Sequence, residues 1–196
     1  MYTHSRIVQT AVGLLAVSGA LASATAQNLE PVPQEQVAQM TALIGSSLSV
    51  KPAKSRTLLV FWRCEGFVHG SALACGNKAL ELAAAKTQAF RVDFTNDYEA
   101  LKPANLATYD ALVLNNTTGL KTQENRFIEP SIIDFVKSGK GLAVIHAGAD
   151  NFNNAGQAAE MIGGHFWGHP WGSGGTWAFK LDDPGHPLNQ AFGGKK

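Results

Sequence analysis

The chain has 196 residues, 45% of them hydrophobic and 16% charged, a balance that excludes a disordered protein or one built of membrane spans. The net charge is +1, with no basic stripe or arm, which argues against nucleic acid as a partner.

The first element is a leader. Ile7 to Ala22 is apolar and small, follows a short start holding His4 and Arg6, and leads to Ala24-Thr25-Ala26, an A-x-A cleavage signature. Residues 1–26 are therefore expected to be a secretory signal peptide. The competing reading is a membrane anchor, against which stand the shortness of the run and its interruption by Gln9, Thr10 and Ser18. Export implies a periplasmic or secreted protein with no stable membrane insertion after cleavage. The remainder is long enough for one domain, since chains of this size bury about 70% of their unfolded surface. Cys64 and Cys75 would meet an oxidising compartment. They could form a disulfide or stand as two separate thiols, and spacing does not decide between these.

Residues 27–56 read as a linker with a short helix. Asn28 to Pro33 is a polar spacer, and Gln34 to Ile44 has helical spacing, with Val37, Met40 and Ile44 on one face. The core begins at Thr57. Thr57 to Trp62 is a continuous apolar run, the pattern of a strand covered on both faces. Ser71 to Gln88 reads as a helix rich in Ala and Leu, with Ser71 as N-cap. Phe90 to Thr95 and Ala111 to Asn115 are the second and third strands. Glu124 to Ser138 is helical in period, with a break at Pro130 and a stop at Gly139. Gly141 to His146 is the fourth strand, Gln157 to Ile162 a short helix, and Thr176 to Leu181 a fifth strand. Strands alternating with helices predict an α/β fold, a mostly parallel sheet with helices on both faces. Such sheets bind ligands at the carboxyl ends of their strands.

The residues at those ends are the candidates. Glu65, Phe67 and His69 follow the first strand, and His69 precedes a helix whose N-terminal field disfavours imidazolium. Such a histidine could act as a neutral ligand or base; it could also be a surface turn residue. Asn115-Asn116-Thr117-Thr118-Gly119 follows the third strand, suited to hold sugar hydroxyls through Asn116 and Thr118 or to make a plain turn. His146-Ala147-Gly148-Ala149-Asp150 follows the fourth. One functional residue among small neighbours at a strand-to-turn junction resembles a nucleophile elbow, here with imidazole in place of hydroxyl or thiol. Imidazole suits proton transfer or metal ligation, and Asp150 could orient it or share a metal; the alternative is a buried histidine satisfied by backbone. His165, Phe166, Trp167, His169 and Trp171 share a Gly- and Pro-rich loop, its aromatics either sugar-stacking platforms or core plugs. His186 follows the last expected strand.

Glu65-Gly66-Phe67-x-His69, Asn115 to Gly119, Gly139-x-Gly141 through His146-Ala147, Ile162-Gly163-Gly164-x-Phe166-x-x-His169-Pro170 and His186-Pro187 occur in the order of the ThuA-like (trehalose-utilisation) family, which the chain resembles from Thr57 to Phe192. The resemblance implies the class I glutamine-amidotransferase-like, flavodoxin-like fold and a link to carbohydrate metabolism. It also implies that His146 stands at the elbow where true amidotransferases carry cysteine, so that thiolate hydrolysis of glutamine is not expected. Family members continue past His-Pro with further strands, so 57–196 is expected to be a ThuA-like domain lacking its C-terminal part.

The leading expectation is an exported protein acting on trehalose or a keto-sugar, with His146 and His69 catalytic. Its substrate contacts would be Glu65, Asn116, Thr118, Trp167 and Trp171. A divalent metal such as zinc could be held by His69, His146 and His169, with Asp150 in reserve. The alternative is a non-catalytic carbohydrate-binding module. The partner in either case is a small carbohydrate; oligomeric state is not legible.

Overall fold

A computed structural model describes residues 29–45, 48, 51–120, 125–152, 156–170, 172 and 174–192. The expected leader and Trp171 lie outside the described residues. No helix among the described residues is long and apolar enough to cross a membrane. Contacts divide the chain into two units, Met1–His165 and Phe166–Lys196.

The first unit is a four-stranded, all-parallel sheet with helices packed on both faces, a flavodoxin-like α/β fold. Its strands are β1 (Thr57–Phe61), β2 (Arg91–Thr95), β3 (Ala111–Asn115) and β4 (Gly141–Ile145), in the spatial order β2-β1-β3-β4. The order follows from composition. The most apolar runs take the centre, where Leu59, Val60, Phe61, Leu112, Val113 and Leu114 are buried. The outer strands keep exposed positions, including Arg91 and Asp93 on β2 and Gly141 and Ala143 on β4. Those edges are therefore less fully covered than continuous apolar runs lead one to expect.

Side chains alternate between faces along each strand. Leu59, Phe61, Leu112 and Leu114 point to one face, where they join Ile128, Ile132 and Phe135 of α4 (Ile128–Lys137) in the main core. Each such aliphatic side chain, once buried, contributes about 1.5–3 kcal/mol. On the other face lies α2 (Gly70–Thr87), which buries Leu73 and Ala74 and meets Asn115. α1 (Gln34–Leu43) docks on α2. Val37, Met40 and Ile44 are half-buried, Lys86 Nζ donates to the Thr41 carbonyl at 2.6 Å, and the Cys75 thiol donates to Gln36 at 3.3 Å. The helix in the expected linker is thus part of the unit.

Several local expectations are corrected. α2 starts one residue earlier than expected, and its N-cap is His69, not Ser71; the His69 carbonyl already accepts from the Leu73 N–H at 2.9 Å. Pro130 does not break a helix. α4 begins at Ile128, so Pro130 falls in the first turn, where no intrahelical N–H is needed. Gly139 does stop it, at φ +90°. The β2–β3 connection carries a 3-10 turn (Tyr98–Leu101) and the short α3 (Pro103–Leu106), neither read from periodicity. α5 (Gly156–Ile162) is the expected short helix.

In the second unit, Thr176–Leu181 is irregular and not a fifth strand. Its alternating Trp177 and Phe179 are 57% and 70% exposed, and no ladder forms here among the described residues. A 3-10 turn spans Pro187–Phe192.

Candidate active site

The strand order reverses between β1 and β3: from β1 the chain goes first to β2, then to β3 on the other side. The loops leaving β1 and β3 flank this reversal, the position at which parallel sheets take ligands. Thr118 ties these loops together. Its backbone bridges Cys64 on one side and Asp150 on the other, continuing the sheet order past the strand ends. The Thr118 carbonyl accepts from the N–H of Glu65 at 2.7 Å and of Gly66 at 3.3 Å, and its hydroxyl donates to the Phe67 carbonyl at 2.8 Å. Gly119, at φ +59°, packs against Gly66, where a Cβ would stand 3.0 Å from the Gly66 nitrogen. Asn151 clamps the third loop: its amide donates to the Thr117 hydroxyl at 2.9 Å and to the Gly148 carbonyl at 2.7 Å, and its oxygen accepts from Leu120 N–H at 3.1 Å.

Two imidazoles meet on this frame. His146 sits at the end of β4 with φ +50°, a left-handed conformation costly for a side chain with a Cβ. The small neighbours make the turn possible. A Cβ on Gly148 would stand 2.6 Å from the Leu114 carbonyl oxygen. His146 is exposed, and its Nδ1 lies 2.8 Å from Asn116 Oδ1. The ring of His69 stands edge-on to that of His146, centroids 4.7 Å apart and planes at 85°. The Phe67 ring also contacts His69, centroids 4.8 Å apart, and Phe67 is itself 73% exposed.

His69 Nδ1 is buried and has no hydrogen-bond partner among the described residues. A buried N–H left unpaired is rarer than a buried lone pair left unpaired, which puts the proton of the neutral ring on Nε2. Burial holds the His69 pKa below its ordinary value, and the neighbouring His146 lowers it further, against a smaller opposite pull from Asp150. His69 is therefore a neutral imidazole near pH 7.

The remaining expected site residues fall in different places. Asn116 and Thr118 are 3% and 1% exposed, and both side chains are engaged within the protein. Glu65 accepts from Arg63 Nε at 2.5 Å and from the Tyr98 hydroxyl at 3.1 Å, with the Arg63 guanidinium stacked 4.5 Å above the Tyr98 ring. Asp150 is half-buried in the third loop, and its carbonyl accepts from the Gly119 N–H at 2.7 Å. His169 and Trp167 belong to the second unit, His169 with its ring 5.6 Å from that of Phe166 and Trp167 93% exposed. A metal would need three or four ligands. Among the described residues, no group of three or more His, Cys, Asp or Glu is placed to hold one.

Cys64 and Cys75 are not joined: Cys64 is buried under the site, its thiol donating to the Asn116 carbonyl at 3.2 Å, and Cys75 lies on α2. Burial raises the Cys64 pKa. The sequence shows Asn115 only as the start of the polar turn after the third strand and gives Asn77 and Gly76 no role, yet the three support His146 from below. Two signals were available: a polar residue closing a fully apolar strand, and a lone glycine inside a helical pattern, the mark of a close approach.

An all-parallel sheet with a strained histidine at a strand end, paired with a second histidine across the switch point, defines a flavodoxin-like α/β protein whose elbow carries imidazole. A family model described as trehalose utilisation (ThuA) matches residues 57–195. The chain belongs to the ThuA family, and its function is accordingly related to trehalose utilisation. No curated protein and no solved structure matches it.

Proposed function

We propose that this protein is an exported carbohydrate-processing enzyme in which His146 and His69 form an acid–base pair acting on trehalose or a keto-sugar derived from such a disaccharide. Export rests on the leader at residues 1–26. The substrate class rests on the family. The chemistry rests on one observation: two imidazoles in edge-to-face contact at the switch point, Nδ1 of His146 hydrogen-bonded to Asn116 and Nδ1 of His69 buried.

The two rings have complementary roles. His146 is held through Nδ1, so its Nε2 lone pair is the base. His69 is neutral with its proton on Nε2, so it is a hydrogen-bond donor, as a neutral imidazole at a helix N-terminus can be when it polarises a carbonyl. On a keto-sugar, the proton on the carbon beside the ketone passes to His146 Nε2. The C–H electron pair forms the enolate, and negative charge gathers on the former carbonyl oxygen, where the His69 N–H stabilises it. The His146 imidazolium then returns its proton to the substrate. No thiol takes part.

The test is turnover of trehalose and of 3-keto-glycosides by the full-length protein, with and without added zinc. Consumption of one of them supports the reading; well-folded protein that consumes neither in any condition overturns it. A carbohydrate-binding module would bind sugar by calorimetry equally well as His146→Ala and as wild type.

A further inference from the structure

A chain of side-chain amides runs from α2 to His146. The Leu73 carbonyl can only accept, and it takes a hydrogen bond from Asn115 Nδ2 at 3.0 Å. The same Nδ2 donates to Asn77 Oδ1 at 2.9 Å. Asn115 Oδ1 is thereby fixed as an acceptor, and Asn116 Nδ2 donates to it at 2.8 Å. Asn116 Oδ1 is then an acceptor too, and it faces His146 Nδ1 at 2.8 Å. An acceptor facing a ring nitrogen requires that nitrogen to carry the proton.

We infer that Asn115 and Asn116 are positioning residues that lock His146 as its Nδ1–H tautomer, with the polarity of the relay set by the Leu73 carbonyl of α2. Asn116 acts through His146, not by holding a substrate hydroxyl.

The surroundings are built for this. Asn115 is 0% exposed and Asn116 3%, so neither amide can exchange its partners for water. Gly76 makes the space: a Cβ there would stand 2.5 Å from Asn115 Oδ1 and 2.7 Å from its Nδ2. Glycine inside a helix costs about 1 kcal/mol against alanine, and here it admits the amide. Asn116 adopts φ +50°, a conformation asparagine tolerates better than other side chains. The Cys64 thiol holds the Asn116 carbonyl from below. An imidazole at an exposed site is otherwise free to carry its proton on either nitrogen; here a backbone carbonyl three hydrogen bonds away decides.

This inference concerns the free protein and holds whatever the substrate is, so it stands or falls separately from the proposed activity. The experiment is histidine side-chain nitrogen NMR on the full chain labelled with 15N-histidine, at a pH where the rings are neutral, with the His146 signals assigned by their absence in His146→Gln. The expected result is a protonated Nδ1 and a bare Nε2. In Asn116→Leu and in Asn115→Leu, both nitrogens should shift towards the intermediate values of a tautomer mixture. Asn116→Asp, which can only accept, should restore the single Nδ1–H form. If Asn115→Leu does not fold, Gly76→Ala reads the same step by displacing the Asn115 amide. A wild-type His146 protonated on Nε2 overturns the inference. So do Nδ1–H signals unmoved in Asn116→Leu, or unmoved in both Asn115→Leu and Gly76→Ala.

Discussion

The rings of His69 and His146 meet edge to face, 4.7 Å between centroids. At that distance two imidazolium ions repel, and burial already disfavours the charged form of His69. The consequence for stability has a definite sign. His69 has a folded-state pKa below its unfolded value near 6.5. Above that value both states are neutral and the native fold keeps its full stability. As pH falls below it, the unfolded chain gains the proton first, and stability is lost. Urea midpoints measured from pH 8 to pH 5 should fall with acid in the wild type and fall less steeply in His69→Gln. Parallel curves would show that His69 titrates as in the unfolded chain.

The turn after His146 depends on Gly148. An alanine there would drive its Cβ into the Leu114 carbonyl and into Val144. Backbone cannot swing aside as a long side chain does. Gly148→Ala should cost about 1–3 kcal/mol, the usual range for overpacking, read as a lower urea midpoint with an unchanged slope. A neutral substitution would mean the loop relaxes freely.

The two thiols should behave differently. Cys64 is buried, donates to the Asn116 carbonyl and has a raised pKa; Cys75 is half-buried on α2. A thiol reagent on native protein should label Cys75 well before Cys64, both reacting once unfolded. Cys64→Ser keeps a donor for the Asn116 carbonyl and should hold turnover within about threefold, since a nucleophile's removal costs orders of magnitude more. Loss of all turnover in Cys64→Ser would restore a thiol mechanism.

Much of this fold is legible in sequence because burial writes itself into composition. Thr57 to Phe61 and Ala111 to Asn115 are nearly unbroken apolar runs, and both are central strands. His146 was visible by its position between a strand and Gly148. What pattern reading missed lies where three-dimensional neighbours decide. Ser71 has the chemistry of an N-cap, yet the helix starts at Gly70 because the loop tied down by Thr118 delivers His69 to the cap. Thr176–Leu181 has strand periodicity, but among the described residues it forms no ladder, and periodicity alone does not supply a partner strand. Asn116 and Thr118 have polar side chains suited to a sugar, yet burial turns them inward. The pairing of His69 with His146, far apart in the chain, comes from the strand order β2-β1-β3-β4.

The central claim is that His146 is the base. Its most direct measure is single-turnover consumption of a 3-keto-glycoside by wild type, His146→Ala and His69→Ala, each checked for sugar binding by calorimetry. General acid–base groups contribute about 10²–10⁴-fold. The account predicts that both variants still bind sugar while the rate falls by about that factor in each. A His146→Ala protein that turns over substrate at the wild-type rate would contradict it.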